Sequence, residues 1–140
     1  MFIKQLSIFV ENKFGRLEAI IDALGKKGVN LRALSIADTT DFGILRVIAD
    51  DTAKAKEALD EIGVIAKVTD VIAVYIDDKS GGLATVLKYL TEEKISVEYM
   101  YAFLSRDTSR ALMVVKADDE EKAERVLALK GVDILDPKQL

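Results

Sequence analysis

A chain of 140 residues that is 50% hydrophobic and 31% charged can bury roughly two-thirds of its extended-chain surface in an ordinary globular core. The absence of both cysteine and histidine excludes disulfides, thiolate and imidazole metal sites, cysteine nucleophiles and the usual general base. A formal net charge of −4, with 20 basic residues against 24 acidic ones and no cluster of Lys and Arg, excludes nucleic acid as a partner, because such binding is driven by counterion release at basic patches.

The opening stretch MFIKQLSIFVENK has no apolar run of signal-peptide form, and nothing approaches the roughly 20 apolar residues of a membrane span. A cytoplasmic protein without membrane association is expected. Leu6, Ile8 and Val10 alternate as a strand, and Leu17, Ile20, Ile21 and Leu24 then follow at helical spacing until Gly28 ends the helix. NLRALSIAD and GILRVIAD read as two strands around the turn residues TTDFG. A second helix carries Ala55, Ala58, Leu59 and Ile62 on one face, and a short strand follows Gly63. The series then returns: strand VIAVYI, a helix on Leu83, Val86, Leu87 and Leu90, strands VEYMYAFL and ALMVVKA, a helix on Ala123, Val126 and Leu127, and VDIL.

That return is a duplication. A shift of 66 positions lays ENKFGRL (11–17) on DDKSGGL (77–83), pairing Lys13 with Lys79, Gly15 with Gly81, Leu17 with Leu83 and Leu24 with Leu90. Past a turn two residues longer in the second copy, a shift of 68 lays ADDTAKAKEAL (49–59) on ADDEEKAERVL (117–127), and Gly63-Val64 recurs as Gly131-Val132. The boundary falls near Asp70, giving repeats 1–69 and 70–140 with no Pro-, Gly- or Ser-rich linker between them. Each repeat reads β-α-β-β-α-β. Right-handed crossovers fold that order as an α+β, ferredoxin-like antiparallel sheet with two helices on one face. The other face, with Phe9, Ala33 and Tyr75, must be covered, so an intrachain pair of repeats and a homodimer are expected.

Asn12 and Asn30 are the chain's two asparagines, one at each end of the first helical unit. A free amino acid presents a carboxylate needing donors and an ammonium needing acceptors, and an Asn amide offers both. Gly15 precedes the helix, so backbone N–H groups of Gly15, Arg16 and Leu17 stand at a positive end where a carboxylate is favoured, with Phe14 and Arg16 placed to close over it. The plain alternative is a helix cap or turn at Asn12 and a turn after Gly28 at Asn30.

Asp50-Asp51 and Asp118-Asp119 open the second helices and read as caps, not as a catalytic dyad. Asp77-Asp78 would meet an ammonium group, but two carboxylates without further oxygen ligands do not make a Mg²⁺ site; no metal or cofactor is expected. In EYMYAFL, Tyr99 and Tyr101 face one side of a strand and Met100 the other, as packing or as the wall of a pocket formed with the first repeat.

VENKFGRL followed by KGVNL resembles the signature of the ACT domain, a small amino-acid-sensing module attached to many enzymes of amino-acid metabolism. The resemblance extends over both repeats and is similar to stand-alone tandem ACT proteins. In serine-sensing ACT domains of phosphoglycerate dehydrogenases, an ENxxGxL loop and a GxN turn supply two asparagines that hold the effector at a domain-domain interface; the matching positions are Asn12 and Asn30. The second copy departs from the pattern, with Asp78 and Ser96 in their places. The resemblance implies a non-enzymatic regulator binding a free L-amino acid through Asn12, Lys13, Phe14, Gly15, Arg16, Leu17, Asn30 and Leu31, with Asp78, Tyr99, Met100 and Tyr101 contributing, and a metabolic enzyme as a further partner. A second reading stays open, a regulatory small subunit such as that of acetolactate synthase, which also begins with an ENxxGxL-like loop.

Overall fold

In the computed structural model of the chain, residues 1–38, 41–104 and 109–140 are described. They form β1 (Ile3–Glu11), α1 (Arg16–Lys26), β2 (Leu31–Asp38), β3 (Phe42–Ala49), α2 (Thr52–Glu61), β4 (Ala66–Asp77), α3 (Gly82–Glu92), β5 (Val97–Ala102), β6 (Arg110–Ala117), α4 (Glu120–Leu129) and a 3₁₀ turn at Pro137–Gln139. Two compact units result: Lys4–Thr69, and Asp70–Leu140 together with Met1–Ile3.

In the first unit the strand order is β2-β3-β1, antiparallel throughout, with Leu6 opposite Val47 and Ala33 opposite Ile48. The second unit repeats it as β5-β6-β4, with Ile72 opposite Val115. Even the irregularity recurs: the register slips between Leu31 and Ala33 in β2 and between Val97 and Tyr99 in β5. Both are βαββαβ repeats of the ferredoxin-like class.

The period-two pattern works as expected. Leu6, Ile8 and Val10 of β1 and Leu45 and Val47 of β3 point under Ile20 and Leu24 of α1 and Ala55 and Leu59 of α2. The second core is the same list displaced by the repeat offsets: Ile72, Val74, Ile76, Val86, Leu90, Val115, Ala123 and Leu127 are buried together, with Met113, the counterpart of Leu45, partly buried against them. Leu59 and Leu127 are fully buried, and each contributes about 1.5–3 kcal/mol of transfer free energy.

Several details differ from the sequence expectation. The short strand after Gly63 and VIAVYI are one continuous strand, β4. Phe42 belongs to β3 instead of the turn, while Thr39 and Thr40 of that turn lie outside the described residues. VDIL is reduced to a single bridge between Val74 and Ile134, flanked by Tyr75 N–H to the Asp133 carbonyl (2.9 Å) and Leu135 N–H to the Ala73 carbonyl (2.8 Å). Ala33 is fully buried, whereas Phe9 is 61% exposed. Ile62 lies beyond the last turn of α2, which ends at Glu61, and is exposed instead of joining the core face.

Candidate functional site

The loop after β1 is built by its own backbone. Asn12 N–H donates to the Asp41 carbonyl (3.1 Å), Lys13 N–H to the Glu11 carbonyl (2.8 Å) and Arg16 N–H to the Lys13 carbonyl (3.2 Å). Arg16 N–H is therefore occupied, which corrects the expectation that it is free for a ligand. Gly15 is the N-cap of α1 at φ 81°, with no side-chain cap hydrogen bond; a left-handed N-cap is where glycine's missing Cβ matters. So Asn12 does not cap the helix. Its side chain is exposed, Phe14 is fully exposed and Leu17 half-exposed. The second loop repeats the design, with Gly81 at φ 83° and Asp78 N–H donating to the Ser109 carbonyl (3.3 Å).

Asn30 is held by a carboxylate. Its N–H donates to Asp50 Oδ1 (3.0 Å) and its carbonyl accepts from Asp50 N–H (3.0 Å). Ser96 and Asp118 repeat the pair at 3.1 and 3.0 Å. The two members of each acidic pair thus divide the work: Asp51 and Asp119 cap α2 and α4 through Lys54 N–H (3.0 Å) and Lys122 N–H (3.1 Å), while Asp50 and Asp118 close the preceding turn. Among the described residues, neither the Asn12 nor the Asn30 amide has a side-chain hydrogen-bond partner.

One repeat does not bring the two asparagines together. Glu11 pairs with Phe42 and Leu31 with Ala49, so Asn12 and Asn30 lie at opposite ends of β3, roughly 23 Å apart along the strand at about 3.3 Å per residue. A single amino acid does not span that distance.

Sequence reasoning missed a groove beside the first loop. It holds about 420 Å³ between the end of β1, the start of α1 and the turn from α2 into β4, and Phe9, Phe42, Ile62 and Ile65 line it with Glu11 and Arg16. Lys13, 3.2 Å away, and Arg16 hold the Glu11 carboxyl below the usual carboxylate range. The second unit has a groove of about 290 Å³ in the same place, lined by Tyr75, Arg110, Lys130 and Asp133 among others. Its charges satisfy one another: Arg110 bonds Asp133 at 2.7 Å and lies 4.1 Å over the Tyr75 ring, and Lys130 lies 5.5 Å over Tyr89.

Of the remaining expected residues, Leu31 packs partly buried against the first core. Met100 packs against the second core, Tyr101 is buried and Tyr99 half-buried. Asp78 is exposed beside Asp77, whose carboxylate is 3.7 Å from Lys79. The described residues contain no group of three or more acidic side chains placed to hold a metal ion, and no helix among them is long and apolar enough to cross a membrane.

Fold, duplication and loop design now meet the comparisons with known proteins. The sequence matches the ACT domain pair family over residues 1–140, and the chain belongs to that family. A solved structure of a protein from Bacteroides thetaiotaomicron is similar at 41% identity, with a TM-score of 0.92 over 98% of this chain and 94% of that one. The regulatory subunits of aspartate kinase from Thermus thermophilus and Thermus flavus share the fold. Their identities are 16% and 17% and their TM-scores 0.64 and 0.62, each covering 90% of both chains. No curated protein matches the sequence.

Proposed function

We propose that this ACT domain pair is a non-catalytic regulator that binds a free L-amino acid at the first loop of its first repeat. One observation supports the reading: Gly15, not Asn12, is the N-cap of α1, so the loop displays an exposed amide with no side-chain hydrogen-bond partner among the described residues. Asn12, Lys13 and the backbone around Gly15 take the charged head of the ligand, and Phe14, Arg16 and Leu17 close over it. Asn30 and Leu31 lie too far along the same repeat to join them, so in a homodimer a second copy supplies them. The second loop, with Asp78 and Ser96, is the weaker site, because a carboxylate attracts an ammonium but repels the ligand's own carboxylate.

Binding regulates through different affinities for two states of the protein or of a partner enzyme. That aspartate kinase carries regulatory subunits of this fold puts enzymes of amino-acid metabolism first among partners to test.

Thermal-shift screening of the twenty amino acids finds the ligand, since a hundredfold excess over Kd stabilises by about 2.7 kcal/mol. Titration calorimetry of Asn12→Ala then shows a loss of about 1.5–3 kcal/mol of binding, ten- to hundredfold. Binding undiminished in Asn12→Ala and Asn30→Ala, but lost in Asp78→Ala, assigns the site to the other repeat.

A further inference from the structure

The two grooves occupy equivalent positions of equivalent folds, and their residues exchange one for one: Phe9 for Tyr75, Phe42 for Arg110, Ile62 for Lys130 and Ile65 for Asp133. In the second copy the exchanges introduce two cations and an anion that bond or stack within the groove. A ligand would have to displace those contacts before making its own. In the first copy the same positions carry apolar side chains exposed to solvent, Phe9 61%, Phe42 51% and Ile65 76%. Keeping such apolar surface in water is unfavourable, so a ligand that covers it gains affinity. At the loop end of this groove stand one carboxylate and one guanidinium, Glu11 and Arg16; where Arg16 stands in α1, the second copy has Gly82.

A zwitterion with an apolar tail matches that layout. Its ammonium pairs with Glu11, whose carboxyl Lys13 and Arg16 hold below the usual range, and its carboxylate lies toward the Asn12 loop, where Arg16 closes over it and pairs with it. Its side chain then covers the phenylalanine and isoleucine surface, and a groove of about 420 Å³ is within the range in which small ligands are bound.

We infer that the first-repeat groove selects an amino acid with a branched aliphatic or aromatic side chain, head group toward Glu11 and Arg16 and side chain against Phe9, Phe42, Ile62 and Ile65. The inference rests on the amino-acid-binding reading above and adds to it the class of ligand and the surface that chooses it.

The test grafts the second copy's own residues into the first. Phe42→Arg and Ile62→Lys place at exposed positions the side chains that the same fold already carries at Arg110 and Lys130, so both variants should fold, as circular dichroism verifies. Wild type and variants are titrated with leucine, isoleucine, valine, methionine and phenylalanine, and with serine, threonine, aspartate and lysine. The expected result is binding of at least one apolar amino acid, tighter than any of the polar ones, and a tenfold or greater loss in each variant. Apolar amino acids bound equally well by the variants would overturn the groove while leaving amino-acid binding intact. Binding of polar amino acids alone would overturn the ligand class in the same way, and no binding by wild type would overturn both readings. Light scattering closes the remaining alternative: a fall in mass of either variant identifies the groove as a contact between copies and refutes the inference.

Discussion

Gly82→Ala should destabilise the protein even though the same change elsewhere in a helix stabilises it. A Cβ at Gly82 would lie 2.1 Å from the carbonyl oxygen of Asp77, where ordinary contact begins near 3.4 Å, so the start of α3 or the end of β4 must move by more than 1 Å. That carbonyl also accepts from Lys79 N–H at 2.9 Å, and Gly82 N–H donates to the Lys79 carbonyl at 3.0 Å. Losing one or two such bonds costs about 1 kcal/mol each, overpacking adds about 1–3 kcal/mol, and helix propensity returns at most about 1 kcal/mol. The net expectation is a loss of about 1–4 kcal/mol. Gly25 supplies the control, because it lies inside α1 with nothing within 4 Å of its added Cβ; Gly25→Ala should gain about 0.5–1 kcal/mol. Urea unfolding followed by circular dichroism reads both. If Gly82→Ala is as stabilising as Gly25→Ala, the close approach of α3 to β4 is wrong.

Asp51→Ala and Asp119→Ala remove the caps of α2 and α4 and should each cost about 1 kcal/mol by urea unfolding. Leu59→Ala and Leu127→Ala, at equivalent fully buried positions, should each cost about 2–5 kcal/mol; a cost under 1 kcal/mol at either would mean that its core collapses around the gap. Burial pushes the Glu120 carboxyl above the usual range, against the opposing bond from Ala117 N–H (2.7 Å) and the charge of Lys116. A raised folded-state pKa favours the protonated form in the fold, so this contribution is full at low pH and is lost as pH rises through the folded value. Wild type should therefore lose stability relative to Glu120→Gln as pH rises above the ordinary carboxylate value of about 4.3; an opposite slope in paired urea titrations would refute the assignment.

The fold was legible because the same core is written twice. Leu6, Ile8, Val10, Leu24 and Leu59 have apolar counterparts at Ile72, Val74, Ile76, Leu90 and Leu127, and all ten are buried. The groove was harder to see. Ile62 continues the helical spacing of Ala55, Ala58 and Leu59, and only the end of α2 at Glu61 leaves it exposed, while Phe9 lies on the strand face opposite Leu6, Ile8 and Val10. A signal was nonetheless present in the offset. Positions of the helix-facing cores exchange one apolar residue for another between the copies, whereas Ile62 faces Lys130 and Ile65 faces Asp133, exchanges that a buried position would not tolerate unpaired. The separation of Asn12 from Asn30 was hidden for a different reason. Both flank α1 in sequence, and only the strand register shows that the helix carries the chain from one end of β3 to the other.

Divergence between the copies also fixes how many ligands one chain should hold. Both loops retain the left-handed glycine, at Gly15 and Gly81, so the backbone frame of a site exists twice. Chemistry separates them. The first loop has Asn12 and a neighbouring open apolar groove; the second has Asp78, a repelling carboxylate, and a groove already closed by the Arg110–Asp133 pair and by cation–aromatic stacking at Tyr75 and Tyr89. A ligand entering there must break an Arg–Asp bond of 2.7 Å and desolvate against a carboxylate. A handicap of about 1.4 kcal/mol is tenfold in Kd, and twice that a hundredfold. Calorimetric titration of the wild-type chain should accordingly give one ligand per chain at the tighter affinity, and Arg110→Ala should leave that first binding event unchanged. Two ligands per chain bound with equal affinity would show that the exchanges of charged for apolar residues do not discriminate between the sites.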